Sequence, residues 1–349
     1  MDSTIAKIAC RIDAHPRFGG MGEGNSQPSS LADERGEDIA RLYEEAIPAT
    51  RTGPLYNAFS YPTKISPEAI ALFIATHTDP GDTVLDVFSG SGTTGLAAKL
   101  CDAPTPAMIA LAETLDLAPT WGPRNAVLYD ISVLGSFVAE VMCNPPDPAR
   151  FEKAAHDLVA AAEKSHGWLY EAMDADGTAG VIRHTIWSEV LLCPSCAAET
   201  TYWAATVRHA PLRLERTFRC ASCGAVNAVD DCARAVETVH DPLLGEDVER
   251  RRRVPVVVYG KTGKTRWQRP ANTSDSVLAD SAVREPVPGV APRTRLAWGD
   301  LYRAGYHTGI SHVHHFYTSR NFLALAVLWE LIDDFDEDIR NALRFLVLS

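Results

Sequence analysis

The chain has 349 residues, 46% of them hydrophobic and 22% charged, which suits a soluble protein of two domains with a sizeable core. A net charge of −12 excludes a surface that binds nucleic acid all over and leaves room only for a local basic face. The longest strongly apolar run, FLALAVLWELI at 322–332, contains Glu330 and is shorter than a membrane span. The N-terminus has no basic segment followed by an apolar one, so a cytoplasmic protein without membrane contact is expected.

Residues 1–35, with Gly19, Gly20, Gly22, Gly24 and a Ser/Pro run, read as a flexible N-terminus. LADERGEDIARLYEEA reads as a helix. YPTKISPEAIALFIATHT turns into a second helix near Ser66, with Pro67 at its first position. GDTVLDVF is a short buried strand, followed by a glycine turn and the helix TTGLAAKL. NAVLYDIS is a second strand reaching Asp130, and SVLGSFVAEVM is a helix. This β-loop-α-β-α order predicts a doubly wound α/β domain over 36–185, with DAPTPAMIALAETLDLAPTWGPR inserted between the two strands. PARFEKAAHDLVAAAEKSHGWLYEAM reads as one long helix.

Short strands, paired cysteines and turns fill 186–269. A loop with Pro270, Pro286, Pro288 and Pro292 makes 270–296 a linker or arm. Residues 297–349 return to helices: TSRNFLALAVLWELIDDF, capped at Thr318 or Ser319, and then DEDIRNALRFLVLS.

The turn VLDVFSGSGTTGLAA, 84–98, raises the question of its ligand. A P-loop sets a Lys beside its last glycine, and Lys99 lies too far along the helix. A dinucleotide fingerprint requires G-x-G-x-x-G, a spacing that Gly90, Gly92 and Gly95 meet, so the glycines alone leave a dinucleotide open. Asp86 precedes the turn, repels pyrophosphate and suits a cation. S-adenosylmethionine carries a sulfonium, an ammonium and no phosphate. Asp86 can accept from the ammonium, Gly90 and Gly92 let the backbone approach, and Asp130 falls where a ribose-binding acid falls. A tight turn that binds nothing is the alternative. A second glycine-lysine stretch, YGKTGKT at 259–265, follows a strand and reads as a hairpin turn.

Two Cys-x-x-Cys pairs, Cys193/Cys196 and Cys220/Cys223, are separated by 23 residues that alternate like strands. Four thiolates in two knuckles predict one tetrahedral structural Zn2+. Cys10, Cys101, Cys143 and Cys232 lack partners at metal spacing and read as core or incidental. Arg208, Arg213, Arg216, Arg219 and the run ERRRR at 249–253 form either a phosphate-facing surface or a solvated charge run. His307, His312, His314 and His315 have no acid or Cys beside them and read as structural or DNA-proximal rather than as a second metal site. Trp298, Phe316 and Tyr317 suit either base stacking or a core.

YPTKISPEAI followed by VLDVFSGSGTTGLAA resembles the adjacent cofactor motifs of the DNA amino-methyltransferases, with Tyr61 in place of a His and Val87 in place of a Pro. More closely, the chain resembles the adenine-specific DNA methylases that carry a zinc ribbon. That likeness takes in the glycine turn, LYDIS, both cysteine pairs and HHFYTSRNFLALAVLWELI, over most of 50–349. The resemblance implies a Rossmann-like S-adenosylmethionine-dependent methyltransferase domain with an inserted zinc ribbon, acting on the exocyclic amino group of adenine in double-stranded DNA. It implies a cofactor site of Thr63, Asp86, Phe88, Ser89, Gly90, Gly92, Thr93 and Asp130, and a metal site of Cys193, Cys196, Cys220 and Cys223.

Such enzymes use an [Asp/Asn/Ser]-Pro-Pro-aromatic loop to clamp the flipped base. The only candidates here are Asn144, Pro145 and Pro146 of CNPPDPA, which an acid follows, and the stretch reads as a connector between helices. The chain is therefore expected to be the cofactor-and-zinc portion of a longer or split enzyme, partnered by a polypeptide that carries the catalytic loop. The alternatives are a methyltransferase acting on RNA, protein or a small molecule, and a non-catalytic zinc-ribbon accessory protein that binds nucleic acid.

Overall fold

Prolines and small polar caps set most helix starts, and glycines set the turns between them. The structure is a computed structural model that describes residues 10–11, 30–44, 46–47, 52–62, 64–209, 211–303 and 307–349. Most of the N-terminal stretch expected to be flexible lies outside the described residues, as does Thr63. The chain divides into two compact units, Met1–Ala154 with Asp336–Ser349, and Ala155–Phe335. The division falls at residue 155, within a helix, and the strands of the second unit begin at Glu171.

In the first unit, β1 (Cys10–Arg11) precedes α1 (Ser30–Glu44), α2 (Pro54–Asn57) and α3 (Pro67–His77), which Ser66 and Pro67 begin as expected. β2 (Thr83–Asp86) leads into α4 (Thr93–Asp102). The insertion forms α5 (Pro106–Thr114), capped by the Thr105 hydroxyl, before β3 (Asn125–Leu128), α6 (Val133–Cys143) and α7 (Pro148–His166). β2 and β3 pair in parallel from Thr83↔Asn125 to Asp86↔Leu128, and β1 runs antiparallel on the far edge of β3. The doubly wound sheet expected from sequence is therefore, among the described residues, one parallel pair with an antiparallel edge, in a mixed α/β unit.

One face of this sheet is covered. Ala126 and Leu128 pack with Leu96 and Ala98 of α4 and with Ala139 and Cys143 of α6. Ala71, Ile74 and Ala75 of α3 pack on Ala97 and Cys101 of α4 and on Met108 of α5, while Leu42, Leu72, Ala112 and Leu117 bring α1 into the same layer. The inserted segment is thus part of the core. The expectation of a buried β2 fails on the other face, where Leu85 is 62% exposed. Parallel strands are ordinarily covered on both faces, and no helix layer covers this one among the described residues.

The second unit begins within α7, which stops at His166, short of the single long helix expected. Gly167–Tyr170 forms a 3-10 turn and Glu171–Met173 is already strand β4. The spine is the 14-residue β5 (Ala179–Leu192). Around it come β6 (Glu199–Thr201), the short α8 (Tyr202–Thr206), β7 (Val207–His209), β8 (Leu212–Leu214), β9 (Thr217–Arg219), β10 (Val226–Ala228) and β11 (Ala233–Arg234). β12 (Val236–Asp241) and β13 (Glu246–Arg251) form a ribbon, and β14 (Arg253–Thr262) and β15 (Thr265–Pro270) a hairpin. The sheet order is β11-β5-β14-β15, with β4 and β6 also paired to β5.

YGKTGKT closes β14 onto β15 at Gly263, whose φ is +58°, so the hairpin reading is borne out. Trp267 lies flat over Gly260, where a β-carbon would sit 2.1 Å from the ring.

The linker expected at 270–296 holds a 12-residue helix, α9 (Thr273–Arg284). Asn272 and Asp275 form a capping box that starts it, and Ala282 packs with Leu169, Leu323 and Val327. Asp275 is buried and paired to Arg269 at 2.7 Å. The prolines that suggested a linker all lie outside this helix. α10 (Ser319–Leu331) follows with Thr318 as its cap, and α11 (Glu337–Leu348) returns to the first unit. There Arg150 is paired to Asp336 at 2.7 Å and also to Asp338, and Phe345 packs 5.4 Å from Phe59.

Candidate functional site

The glycine turn joins β2 to α4 through two left-handed residues, Gly90 at φ +52° and Gly92 at φ +81°. The two glycines serve different ends. A β-carbon on Gly92 would lie 2.7 Å from Ala139 of α6, so Gly92 permits the close approach of α4 and α6. One on Gly90 would meet the Tyr61 ring at 3.1 Å, so the ring of the YPTK segment sits against the turn. Lys64 of that segment is buried and donates to the carbonyls of Leu55 and Tyr56, and burial lowers its pKa.

Both acids picked from sequence reach the turn. Asp86 accepts from the Phe88 amide at 3.0 Å and from the Thr94 hydroxyl at 2.6 Å. Asp130, two residues beyond β3, accepts from the Gly90 amide at 2.7 Å and the Ser132 amide at 2.8 Å. Ser89 is buried, its amide donating to the Tyr129 carbonyl, and Thr93 is the first residue of α4. Phe88 is 84% and Ile131 99% exposed, so apolar side chains with almost no contacts flank two carboxylates. Each carboxylate oxygen has lone pairs to spare for a ligand donor. Such a rim suits a ligand with a flat apolar part and cationic or hydroxyl donors, and it offers no cation for a phosphate.

Asn144 to Pro146 form the connector expected. The Asn144 amide and side chain donate to the Glu140 carbonyl at the end of α6, and α7 starts at Pro148.

The four cysteines converge. Cys193 and Cys223 are 3.8 Å apart at sulfur, as are Cys196 and Cys220, and all four sulfurs lie within 4.8 Å of one another. A Zn–S bond of about 2.3 Å places tetrahedral sulfurs about 3.8 Å apart, so the set fits a zinc ion. Two like knuckles carry the sulfurs. In each, the amide of the residue after the second Cys donates to the carbonyl of the first, and that residue is left-handed: Ala197 at φ +57° and Gly224 at φ +75°. The Asn227 side chain donates to the Cys193 sulfur at 3.4 Å, an outer contact absent from the spacing pattern.

Burial pushes the Cys193 thiol up, but the amides of Ser195 and Cys196 and the neighbouring thiols outweigh it and bring it to about 6. The amides of Cys223 and Ser222 lower Cys220. The Ala225 amide favours ionised Cys223, yet its hydrogen bonds to the other thiols and its burial hold it high. Four sulfurs this close ionise together only around a cation.

A second cluster was not legible in the sequence. Asp241, at the end of β12, meets His314 at 2.7 Å and His315 at 2.8 Å, both through Nε2 to one carboxylate oxygen. Its other oxygen accepts from the amides of Leu243 and Leu244. The three residues have the composition of a metal site. However, Nδ1 of His315 accepts from the Ser311 amide at 3.1 Å, which puts the ring's proton on Nε2, facing Asp241. The cluster is a hydrogen-bonded clamp, in line with the structural role expected of these histidines. Burial raises the Asp241 carboxyl, but the hydrogen bonds from His314 and His315, the His314 charge and the Leu243 amide together bring it down to about 2.

The arginine run is largely paired internally. Arg250 meets Glu237 at 2.9 Å, Arg251 meets Glu189 at 3.0 Å, Arg252 meets Glu199, and Arg253 lies 3.8 Å from Glu189. Of its two readings, the phosphate-facing one thus loses support.

Residues 22–103 match a family model described as DNA methylase. That stretch takes in YPTKISPEAI and the whole glycine turn, so the N-terminal portion of the chain is similar to that family. No curated protein and no solved structure matches the chain. No helix among the described residues is long and apolar enough to cross a membrane.

Proposed function

We propose that the chain is the cofactor-binding and zinc-holding part of an S-adenosylmethionine-dependent DNA methyltransferase that modifies the exocyclic amino group of adenine. The observation that carries this reading is the rim of the glycine turn, where Asp86 and Asp130 anchor Phe88, Gly90 and Ser132 with no lysine or arginine among these groups. When bound, the cofactor supplies an electrophilic methyl group on a sulfonium. The chain's own residues hold and orient it. Asp86 accepts from the ammonium, Asp130 from ribose hydroxyls, Phe88 and Ile131 cover the adenine, and Ser89, Gly90 and Thr93 line the turn, while Gly92 lets α4 pack close to α6. The four cysteines hold a structural zinc that staples the hairpins of the second unit. Double-stranded DNA is the substrate.

Transfer to an amino nitrogen also requires acceptors for its hydrogens and an aromatic clamp on the flipped base. Asn144, Pro145 and Pro146 cap a helix and lack an aromatic neighbour, so a further polypeptide segment bearing an Asp-Pro-Pro-aromatic loop completes the enzyme.

Titration calorimetry tests the cofactor site. Phe88 makes almost no protein contact, so Phe88→Ala is expected to leave the melting temperature unchanged and weaken S-adenosylmethionine binding by about tenfold. Equal affinity in the two proteins overturns the site, and tighter binding of ATP or NAD than of the methyl donor restores a phosphate ligand. Labelled methyl transfer to unmethylated duplex DNA is expected to be weak for these 349 residues alone. Robust turnover would assign catalysis to this chain and make Asn144→Ala the next variant.

A further inference from the structure

In the second unit, a short antiparallel contact brings Thr294–Leu296 beside Ser311–Val313: the Leu296 amide donates to Ser311, the Val313 amide to Thr294, and Arg295 bridges His312. The contact sets an aromatic run on the segments that flank it. Trp298 stacks on His307 at 3.9 Å with the rings 5° from parallel, and its indole N–H donates to the Ile310 carbonyl at 2.8 Å. Phe316 meets the edge of Trp298 at 5.8 Å, and Tyr302 lies 5.9 Å from His307. The result is one continuous series, Tyr302–His307–Trp298–Phe316, half-buried in the middle and exposed at both ends, with Tyr302 at 46% and Phe316 at 53%.

The charge around it has an unusual property for this protein. Arg293, Arg295 and Arg303 are exposed, and none has a carboxylate at ion-pair distance among the described residues, whereas the run 250–253 is paired throughout. Arg303 donates instead to the carbonyls of Asp300 and Tyr302, which fixes the guanidinium without neutralising it. Within a chain of net charge −12, three guanidiniums against one exposed acid, Asp300, leave this segment cationic and interleaved with rings. A guanidinium beside an exposed aromatic face matches a phosphodiester beside a base.

We propose that Tyr302, His307, Trp298 and Phe316, with Arg293, Arg295 and Arg303, form a platform that stacks unpaired nucleobases and holds the phosphates between them. Its ligand is single-stranded nucleic acid. From the proposed function this takes only that DNA is the substrate; it does not depend on the methyl donor's site.

The test uses the full zinc-loaded chain and the fluorescence anisotropy of a labelled oligothymidylate, an abasic strand of the same length and a duplex. The oligothymidylate is expected to bind more tightly than the abasic strand. Phe316→Leu and Tyr302→Leu keep the apolar bulk and remove the ring. Each is expected to weaken oligothymidylate binding by about tenfold while leaving the abasic strand unaffected, and Phe316→Trp is expected to restore it. Arg295→Ser should weaken both strands and lower the salt dependence by about one phosphate contact. Equal binding of the abasic and thymidylate strands, indifference to both Leu substitutions, or preference for duplex without sensitivity to the rings each overturns the platform. So does an absence of nucleic-acid binding in protein that still takes up the methyl donor by calorimetry. Loss of methyl-donor binding with the platform intact overturns the cofactor reading instead.

Discussion

The two units hold their sites in opposite ways. In the first, a strand pair covered on one face presents Leu85, Phe88 and Ile131 to solvent beside two carboxylates. In the second, β5 is paired along most of its length and four sulfurs converge between hairpins. The first site is thus open, with apolar groups that gain burial only when something binds, and ligand and stability are nearly separate there. The second is closed: its four sulfurs also join the hairpins, so a metal held there would be coupled to the fold.

The sharpest break of that comparison is metal removal. A strong chelator, or Cys193→Ser, is expected to unfold the hairpins of the second unit, with a loss on the order of several kcal/mol, and to leave methyl-donor binding by the first unit intact. Thermal melting with elemental analysis, alongside calorimetry, measures the two; about one zinc per chain is the expected content. Retained zinc and unchanged melting in Cys193→Ser would remove the metal site altogether.

Next in size is the ion pair beneath α9. Arg269 and Asp275 are nearly buried, so Asp275→Ala strands a guanidinium and breaks the capping box. A loss of about 3–5 kcal/mol is expected in denaturant unfolding. In the first unit, Gly92→Ala drives a methyl into Ala139 and forces a left-handed alanine, and a loss of about 1–3 kcal/mol is expected.

The pH dependence sharpens the contrast further. Asp241 has a folded pKa of about 2 against an ordinary 3.8. Its stabilisation is fully present above pH 4 and is lost as the pH falls from there toward 2. Asp241→Asn should flatten acid unfolding in that window, followed by circular dichroism; an unchanged acid limb would discount the clamp. The smallest effect lies in the first knuckle, where Ala197 holds the conformation that Gly224 holds in the second. Ala197→Gly is expected to stabilise by about 1 kcal/mol, read as a small rise in the melting temperature of the zinc-loaded protein.

What was legible in the sequence follows from the range of the signal. The helix starts at Ser66 and Thr318, the glycine turn and the Cys-x-x-Cys knuckles are each written within a few residues, and their placement holds in the structure. α9 was hidden because its prolines, which flank it, outweighed the Asn272 cap inside the same stretch. The Asp241 clamp could not be read, because its acid and its histidines are 73 and 74 residues apart. The pairing of the arginine run was equally remote: Glu189 and Arg251 are 62 residues apart, and only the closing of the sheet brings them together. The exposed face of β2 was misjudged because a buried parallel strand and a half-covered one share the same apolar run.

The ion pairs from Arg150 to Asp336 and Asp338 join the last residues before the excursion into the second unit to the first residues after it, 186 and 188 positions later. That closure has a consequence in time. At the ordinary pace of synthesis, about 10–40 s elapse between the emergence of Arg150 and that of its partners. Through that interval α6 lacks the contribution of α11, and the Phe59 ring waits for Phe345. Both cysteine knuckles, complete by Gly224, therefore emerge well before α11 does.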